Sequence, residues 1–264
     1  MTHRKRHRRI KLRSLYNWHR YIGLLTALFV LLLSVTGMML NHTESLRLDE
    51  KRVQSDWLLD WYGIESPRQL RSFRAGEVWI TQAEEHLFIG SQATDSRMPG
   101  HLAGALASTD LLVIATENDI LLYTHDGEFI EHLTGTHGVP AGITRLGSTG
   151  DGLLCVRTAQ GSYITDSDFN QWRRNDCNGV RWTSPAPAPE LLAASIRHRY
   201  RSSQVNWERV TLDLHSGRLF GEGGVLLMDA AALLFAFLAV SGILLWGIRL
   251  LKQRQHRRYR HGRH

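Results

Sequence analysis

The sequence contains little cysteine: two thiols, Cys155 and Cys177, among 264 residues. This excludes a CxxC redox centre, a cysteine-rich zinc site and an iron–sulfur cluster with four thiolate ligands. Phosphate-binding loops, nucleophile elbows and zincin helices are also missing, so the sequence indicates neither a hydrolase nor a kinase. No catalytic residue is predicted, and whether the protein is an enzyme is left open.

Acidic residues are missing from both ends of the chain. Residues 1–20 hold eight Lys and Arg, residues 249–263 hold seven, and neither segment contains an Asp or Glu. Residues 41–224 contain 24 of the 25 Asp and Glu residues and seventeen Lys and Arg residues. The net charge of this central segment is therefore −7, although that of the whole chain is +7. A nucleic-acid-binding protein would present basic residues on a folded face, and we therefore predict no nucleic-acid partner.

Two long apolar runs lie directly inside the basic ends, at residues 21–40 and 230–248. Twenty helical residues rise about 30 Å, which matches the hydrocarbon core of a bilayer. We predict two transmembrane helices in contact with lipid. Because basic residues favour the cytoplasmic side, both termini are expected in the cytoplasm, and residues 41–224 in the periplasm of a bacterial inner membrane.

The first apolar run is predicted to be an uncleaved membrane anchor. A signal peptide has an apolar core of about 7–15 residues, followed by small residues at the cleavage site. Here the run is longer and ends in the sequence MMLNH at residues 38–42. The pair Arg8-Arg9 does not indicate a twin-arginine signal, because many other arginines surround it.

Between residues 66 and 182 the chain alternates short β-like apolar runs with turn-forming residues, as expected for hairpins. About three units of 30–40 residues follow one another, as in propeller blades, but they are too few to close a propeller. We predict a mostly antiparallel, open or sandwich-like β-domain. Because thiols oxidise readily outside the cytoplasm, a disulfide between Cys155 and Cys177 is favoured.

A short unit is predicted between the β-domain and the second apolar run. It begins with the spacer TSPAPAPE at residues 183–190 and a helix over residues 191–200. Two strands are expected next, at residues 207–214 and 218–220, joined by a turn at His215-Ser216-Gly217. The predicted order is therefore αββ. The domain boundaries are a basic tail (1–20), helix (21–40), juxtamembrane segment (41–65), β-domain (66–182), spacer with αββ unit (183–224), helix (225–249) and basic tail (250–264).

Six motifs around the two apolar runs resemble those of the PepSY-associated transmembrane proteins of bacterial inner membranes. They are WHRYIGL (18–24), SVTG (34–37), LNHT (40–43), WYGI (61–64), LDLHSGR (212–218) and LMD (227–229). The resemblance covers both membrane helices and their flanks, about 90 residues, and implies that the β-domain is an insertion. The unit before the second helix is accordingly PepSY-like. Several relatives with more membrane helices resemble haem-binding electron-transfer proteins or ferric-siderophore reductases.

The resemblance implies that histidines at the membrane edges bind b-type haem, which requires two facing imidazoles. His19 and His42 are 23 residues apart on one predicted helix, roughly 34 Å, and cannot share one iron. The favoured pair is His42 with His215 at the periplasmic edge, and His19 could pair with His256 at the cytoplasmic edge. Structural or lipid-facing roles are the alternative for each of them. Two helices cannot enclose haem alone, so haem binding implies a homodimer or a larger membrane redox complex.

Asp229 and two glycines complete the candidate residues. An acid at the start of a membrane helix needs stabilisation. For Asp229 this comes either from the helix N-terminus or from a hydrogen bond to a haem-ligand histidine, His42 or His215. The octets LSVTGMML (33–40) and LAVSGILL (238–245) place Gly37 and Gly242 at opposite ends of antiparallel helices. We predict that both glycines serve close packing.

Two functions follow from these expectations. The first is an accessory subunit in periplasmic or transmembrane electron transfer, which is at most a redox component and binds haem b. The second is a non-enzymatic, membrane-anchored binding or assembly module, in which the histidines are structural and the β-domain contacts a periplasmic partner.

Overall fold

The computed structural model describes residues 4–166, 169 and 171–261. It divides into two compact units. The membrane unit is formed by Met1–Arg52 with Val205–His264, and the β unit is Val53–Gln204. Over the described residues the chain forms six α-helices: α1 (Arg4–Asn41), α2 (Thr43–Leu46), α3 (Asp56–Trp61), α4 (Glu190–Ser203), α5 (Trp207–Ser216) and α6 (Gly221–His261).

Helices α1 and α6 are long and apolar enough to cross a membrane. Their candidate spans are Tyr16–Asn41, with 26 residues, and Arg218–Leu251, with 34 residues. Only 11% of each apolar window is buried, so neither helix is the core of a soluble domain. Both helices continue beyond these spans into the basic segments. The prediction of two transmembrane helices flanking an antiparallel β-domain is confirmed.

The two long helices pack antiparallel inside the membrane unit. Near the middle of α1, Gly23 lies beside Leu238, because a Cβ added to it would stand 3.8 Å from that side chain. The positions that pack between the helices carry small side chains, and Thr26, Ala231 and Ser241 are all buried. Their small size lets the two backbones approach each other closely.

The predicted αββ unit is wrong, because both of its strands are helical. Residues 207–214 belong to α5, and Arg218–Phe220 is one turn of 3₁₀ helix. The side chain of Asn206 accepts a hydrogen bond from the backbone N–H of Arg209 and starts α5. The β-branched residues of VTL (210–212) favour a strand, but Val210 and Asp213, three residues apart, are both buried, as expected for one side of a helix.

The β unit consists of three sheets built from thirteen strands in the described part of the chain. The strands are β1 (Leu70–Ala75), β2 (Val78–Ala83), β3 (His86–Ile89), β4 (Gln92–Arg97), β5 (Leu102–Ala107), β6 (Leu112–Thr116), β7 (Ile120–Tyr123), β8 (Phe129–Leu133), β9 (Arg145–Ser148), β10 (Leu154–Thr158), β11 (Gly161–Thr165), β12 (Trp172–Arg174) and β13 (Arg181–Trp182). Their orders are β1-β2-β3-β4, β5-β6-β7-β8 and β12-β11-β10-β9-β13, and every pairing is antiparallel. The predicted succession of blade-like hairpins is confirmed.

Each sheet packs on the next through an apolar layer. One layer between the first and second sheets includes Phe73 and Leu112, and another between the second and third includes Val113 and Val156. Helix α4 packs on the first sheet, where Ile196 contacts Phe88. Strands β1, β5 and β9 are neighbours in space, so the three sheets are arranged around their first strands.

Candidate functional site

Two helix positions in the membrane unit pair a hydroxyl residue with a glycine. They are Thr36-Gly37 near the C-terminal end of α1 and Ser241-Gly242 in α6, and both hydroxyl residues are buried. A Cβ on Gly37 would stand 3.5 Å from Cε1 of His215, and a Cβ on Gly242 would stand 3.5 Å from Cε1 of His19. Each imidazole ring therefore lies close to the helix backbone at its glycine, at a distance where an added Cβ would make an ordinary van der Waals contact.

Each imidazole is hydrogen-bonded to the hydroxyl group beside it. The Nδ1–Oγ1 distance between His215 and Thr36 is 2.7 Å, and the Nδ1–Oγ distance between His19 and Ser241 is also 2.7 Å. The Thr36 hydroxyl donates to the carbonyl oxygen of Leu32 at 2.8 Å, and the Ser241 hydroxyl donates to that of Leu238 at 3.2 Å. A hydroxyl group has one proton, so when it donates that proton to the carbonyl oxygen it accepts from Nδ1–H of the ring.

This hydrogen bonding defines the chemistry of the two rings. With Nδ1 carrying the proton, Nε2 of a neutral imidazole keeps its lone pair and can act as a metal ligand. Ligand histidines in proteins commonly have their other ring nitrogen held by a hydrogen bond in this way. In this tautomer His19 and His215 would each offer Nε2 as a nitrogen ligand.

Helix α5 positions His215 against α1. At its N-terminal end, the backbone N–H groups of Trp207 and Glu208 donate to the carbonyl oxygens of Lys51 and Leu48, each at 3.0 Å. At its C-terminal end, Gly217 has φ +80° and lies so close to Gly224 that an added Cβ would stand 2.3 Å from the Gly224 carbonyl oxygen. Only glycine permits both the left-handed conformation and this contact, and the turn into α6 depends on it.

The two rings lie at opposite ends of the helix pair. His19 and Thr36 are 17 residues apart on α1, which corresponds to about 26 Å. His19 and His215 therefore cannot bind the same iron within one chain. Among the described residues, no group of three His, Cys, Asp or Glu is placed to hold a metal ion. Within the described part of the chain, each end of the helix pair therefore has one imidazole that is held by a hydroxyl group.

His42 is placed differently from the other two histidines. It is exposed, stands between α1 and α2, and its side chain makes no capping hydrogen bond. The structure brings His215 to Thr36 and shows no hydrogen bond between His42 and His215 in the part it describes. Its role as a ligand stays a prediction. The side chain of His256, the suggested partner of His19, lies outside the described residues.

Asp229 lies well inside α6 and not at its N-terminus. The helix begins at Gly221, so Asp229 is more than two turns from the free N–H groups that would stabilise an anion. The predicted stabilisation by the helix end is therefore wrong. The side chain is exposed, and in the described part it forms no hydrogen bond to His42 or His215. The suggested role of Asp229 as a hydrogen-bond partner of a haem-ligand histidine stays a prediction.

Cys155 and Cys177 are both free thiols buried in the third sheet. Cys155 lies on β10, and Cys177 folds over it from the loop between β12 and β13. Burial, followed by the hydrogen bond and the charge of Cys177, raises the pKa of the Cys155 thiol to about 12. The two side chains are therefore in contact, and the disulfide stays a prediction.

The β unit contains a cavity of about 1350 Å³. Its lining combines the turns between β2 and β3 and between β6 and β7 with the segments that lead into β5 and β9. Buried apolar residues such as Leu102 and Ile143 form part of the wall. Burial, followed by the charges of Glu84 and Glu85, raises the pKa of Tyr200 in this wall. The charged lining residues are Glu65, Arg68, Arg71, Glu84, Glu85 and Glu117.

The paired apolar helices and the inserted antiparallel sheets define a two-pass membrane protein with a β-rich domain between its membrane helices. Comparison with known families makes this more specific, because residues 1–249 match the PepSY-associated TM region. The chain belongs to this family, as its motifs predicted. No curated protein matches the chain.

Two solved structures align with part of the chain. One is described as "Crystal structure of HIRA(644-1017)", with 13% identity, a TM-score of 0.31, and coverage of 43% of this chain and 41% of that one. The other is described as "Crystal structure of BBS1N in complex with ARL6DN, soaked with lead", with 12% identity, a TM-score of 0.26, and coverage of 47% and 38%. The chain spans about two fifths of the length of each.

The hydroxyl partners of the histidines were missed by the sequence analysis. The repeated octets contain the signal, since each has a Ser or Thr immediately before its glycine. Two edge histidines and two hydroxyl–glycine pairs could have been matched by their positions along antiparallel helices. His19 precedes Gly23, which faces Leu238, and this register places His19 beside Ser241.

Proposed function

We propose that the protein is an accessory subunit for electron transfer at the bacterial inner membrane, and that it binds b-type haem through His19 and His215. The observation that carries this proposal is the pair of hydroxyl–imidazole hydrogen bonds, each leaving Nε2 as a ligand at one end of the helix pair. His42 is a third candidate, and its exposure favours it less.

The residues present fit haem in part, because the chain supplies one of the two histidine ligands at each end of the helix pair. When bound, b-type haem supplies one-electron redox chemistry, with a potential that depends on its ligands and their hydrogen bonds. The chain's own contribution is to hold each ring by a hydrogen bond between Nδ1 and a hydroxyl group, which leaves Nε2 as the ligand atom. The second imidazole at each end comes from another subunit, in a homodimer or a membrane redox complex.

The charge distribution supports the orientation in this proposal. With both basic ends in the cytoplasm, His19 lies at the cytoplasmic edge and His215 at the periplasmic edge. One oriented ligand at each edge suits a subunit that contributes to electron transfer across the bilayer. The β unit then lies in the periplasm, where an electron donor or acceptor can reach it.

Absorbance spectroscopy tests the proposal. The full chain is purified in detergent, with and without added haem, and a Soret band with sharp α and β bands after reduction is expected. His19→Ala and His215→Ala should each lose part of the band, and the double variant should lose all of it. His42→Ala is the matched control and should keep the full band.

Two outcomes would contradict this assignment. Wild-type protein without a Soret band after haem addition would remove the haem proposal. A band that disappears in His42→Ala and persists in His215→Ala would transfer the periplasmic ligand from α5 to the end of α1.

The second candidate function is a membrane-anchored binding module, and the cavity of the β unit favours it. The test captures proteins from a cell extract with the full chain and with Glu117→Arg, which reverses a charge in the cavity wall. Glu128→Arg, at an exposed site outside the lining, is the control. Proteins retained by wild type and control but lost by Glu117→Arg would support this function, and equal capture by all three would contradict it.

A further inference from the structure

The two sides of the paired membrane helices carry side chains of different size. On α6, four exposed residues recur at intervals of three and four and form one stripe: Asp229, Ala232, Ala236 and Ala239. On α1, exposed Ala27 and Ser34 are seven residues apart on one side of the helix, with exposed Leu31 between them. Residues 27 and 34 of α1 with residues 229, 232, 236 and 239 of α6 are called the small-residue face below.

Helix geometry places both stripes on the same side of the helix pair. Ala27 comes one residue after buried Thr26, and Ala232 one residue after buried Ala231, so each stripe is rotated by about 100° from the helix–helix contact. The two helices run in opposite directions and face each other. A stripe that lies 100° further along the helical turn from the contact therefore points to the same side of the pair on both helices. The opposite side of the pair begins with the residue before each buried contact residue, such as Leu25 before Thr26. It carries bulky side chains, among them Leu25, Leu32, Leu234, Phe237 and Leu244.

The polar members of the small-residue face lie at the same depth. Gly23 packs against Leu238, so Ser34, eleven residues further along α1, is level with Leu227. Asp229 is two residues away from this level, about 3 Å along the helix. By the same register Asp229 is level with Leu32, nine residues or about 13 Å below Asn41 and within the apolar run.

The side chains of Ser34 and Asp229 face away from the helix pair. Both are exposed, and in the described part of the chain neither forms a side-chain hydrogen bond or ion pair. Thr26 and Thr36, the two threonines of α1 within the apolar run, are buried and donate to carbonyl oxygens of their own helix. A carboxyl group at this depth is costly in lipid and is normally covered by another helix.

We propose that the small-residue face is the interface with a second copy of this chain. A twofold axis along the membrane normal places α1 of each copy against α6 of the other. The Ser34 hydroxyl then donates to the Asp229 carboxylate of the second copy, and the reverse contact forms by symmetry. The alanines let the four helices approach closely. A second copy fits best because the face brings its own donor and acceptor at matching depth.

Association of the full chain in liposomes tests this interface. Copies that carry donor or acceptor fluorophores at the C-terminus are reconstituted without haem, and energy transfer is measured as the lipid-to-protein ratio rises. Because the readout is association alone, failure of the haem proposal leaves this result unaffected. Wild type is expected to form dimers.

Substitutions on the two sides of α6 give the matched comparison. Ala236→Phe fills the small-residue face and should raise the dimer dissociation constant at least tenfold. Ala230→Phe adds the same bulk to the opposite side and should change it less than twofold. Asp229→Leu removes two symmetric hydrogen bonds and should weaken the dimer roughly tenfold, whereas Asp229→Asn keeps an acceptor and should remain close to wild type.

Three results would overturn the inference. Wild type that stays monomeric at every lipid-to-protein ratio excludes a second copy as the occupant. Equal effects of Ala236→Phe and Ala230→Phe place the contact elsewhere. Dimerisation of Asp229→Leu or Ser34→Ala as strong as wild type refutes the proposed hydrogen bond.

Discussion

The hydrogen bond between Thr36 and His215 makes a specific prediction for Thr36→Val. The substitution removes the hydroxyl group and keeps nearly the same side-chain shape, so Nδ1 of His215 loses its partner at 2.7 Å. A neutral hydrogen bond contributes about 0.5–1.5 kcal/mol, and an orphaned buried donor costs about 1–3 kcal/mol. Because His215 is half-buried, we expect a loss of about 1 kcal/mol in the free energy of unfolding.

The same substitution should change the tautomer of His215. In wild type the ring is expected to carry its proton on Nδ1. A loss of about 1 kcal/mol corresponds to an approximately fivefold shift of the tautomer ratio towards Nε2–H. The measurement is the nitrogen NMR spectrum of histidine-labelled full chain in lipid nanodiscs, with the His215 signals assigned from His215→Ala.

Thr26→Val is the matched control for this experiment. Thr26 is also buried in α1 and donates to the carbonyl oxygen of Ile22 at 2.9 Å, but it has no imidazole partner among the described residues. It should leave both the His215 tautomer and the His19 tautomer unchanged. If wild-type His215 carries its proton on Nε2, or if both valine variants lower stability equally, the argued role of Thr36 is incorrect.

Two further predictions concern the β unit. Gly104→Ala should lower stability by about 1–3 kcal/mol in thermal unfolding, because its Cβ would stand 2.6 Å from Cβ of Leu146, whereas Gly135→Ala meets nothing within 4 Å and should have little effect. The raised pKa of the Cys155 thiol means that it stays protonated at pH 8 and forms thiolate only as the pH approaches about 12. In reduced protein, iodoacetamide should therefore label Cys155 roughly a thousandfold more slowly than an unfolded-chain thiol, as followed by mass spectrometry, and equally fast labelling would contradict its burial.

Secondary structure was predictable from the sequence where one local signal was strong. The length of the apolar runs is enough to predict membrane helices, and alternating apolar residues with tight turns are enough to predict hairpins. Both predictions were confirmed. Helix α5 was mispredicted because VTL (210–212) favours a strand locally. Its helical form depends on the Asn206 cap and on hydrogen bonds to Leu48 and Lys51, more than 150 residues earlier in the chain.

The candidate site was predicted only in part. His19, His215 and the two glycines were selected from the sequence, but the hydrogen bond of His215 to Thr36 was not, and the pairing of His215 with His42 stays a prediction. Asp229 was placed near a helix end because the charge-free apolar run begins directly after it, at Ala230. The helix instead starts at Gly221, since the 3₁₀ turn and Gly217 complete the connection from α5.

The sequence by itself determined where this protein meets the membrane, because hydrophobic transfer and flanking charge act on each segment independently of its neighbours. It also determined the family, through short motifs beside the two helices. The tertiary structure alone decided which hydroxyl group holds which imidazole and which side of the helix pair is small. Those properties depend on the register between segments about 180 to 220 residues apart, and that register is set by the packing of whole helices.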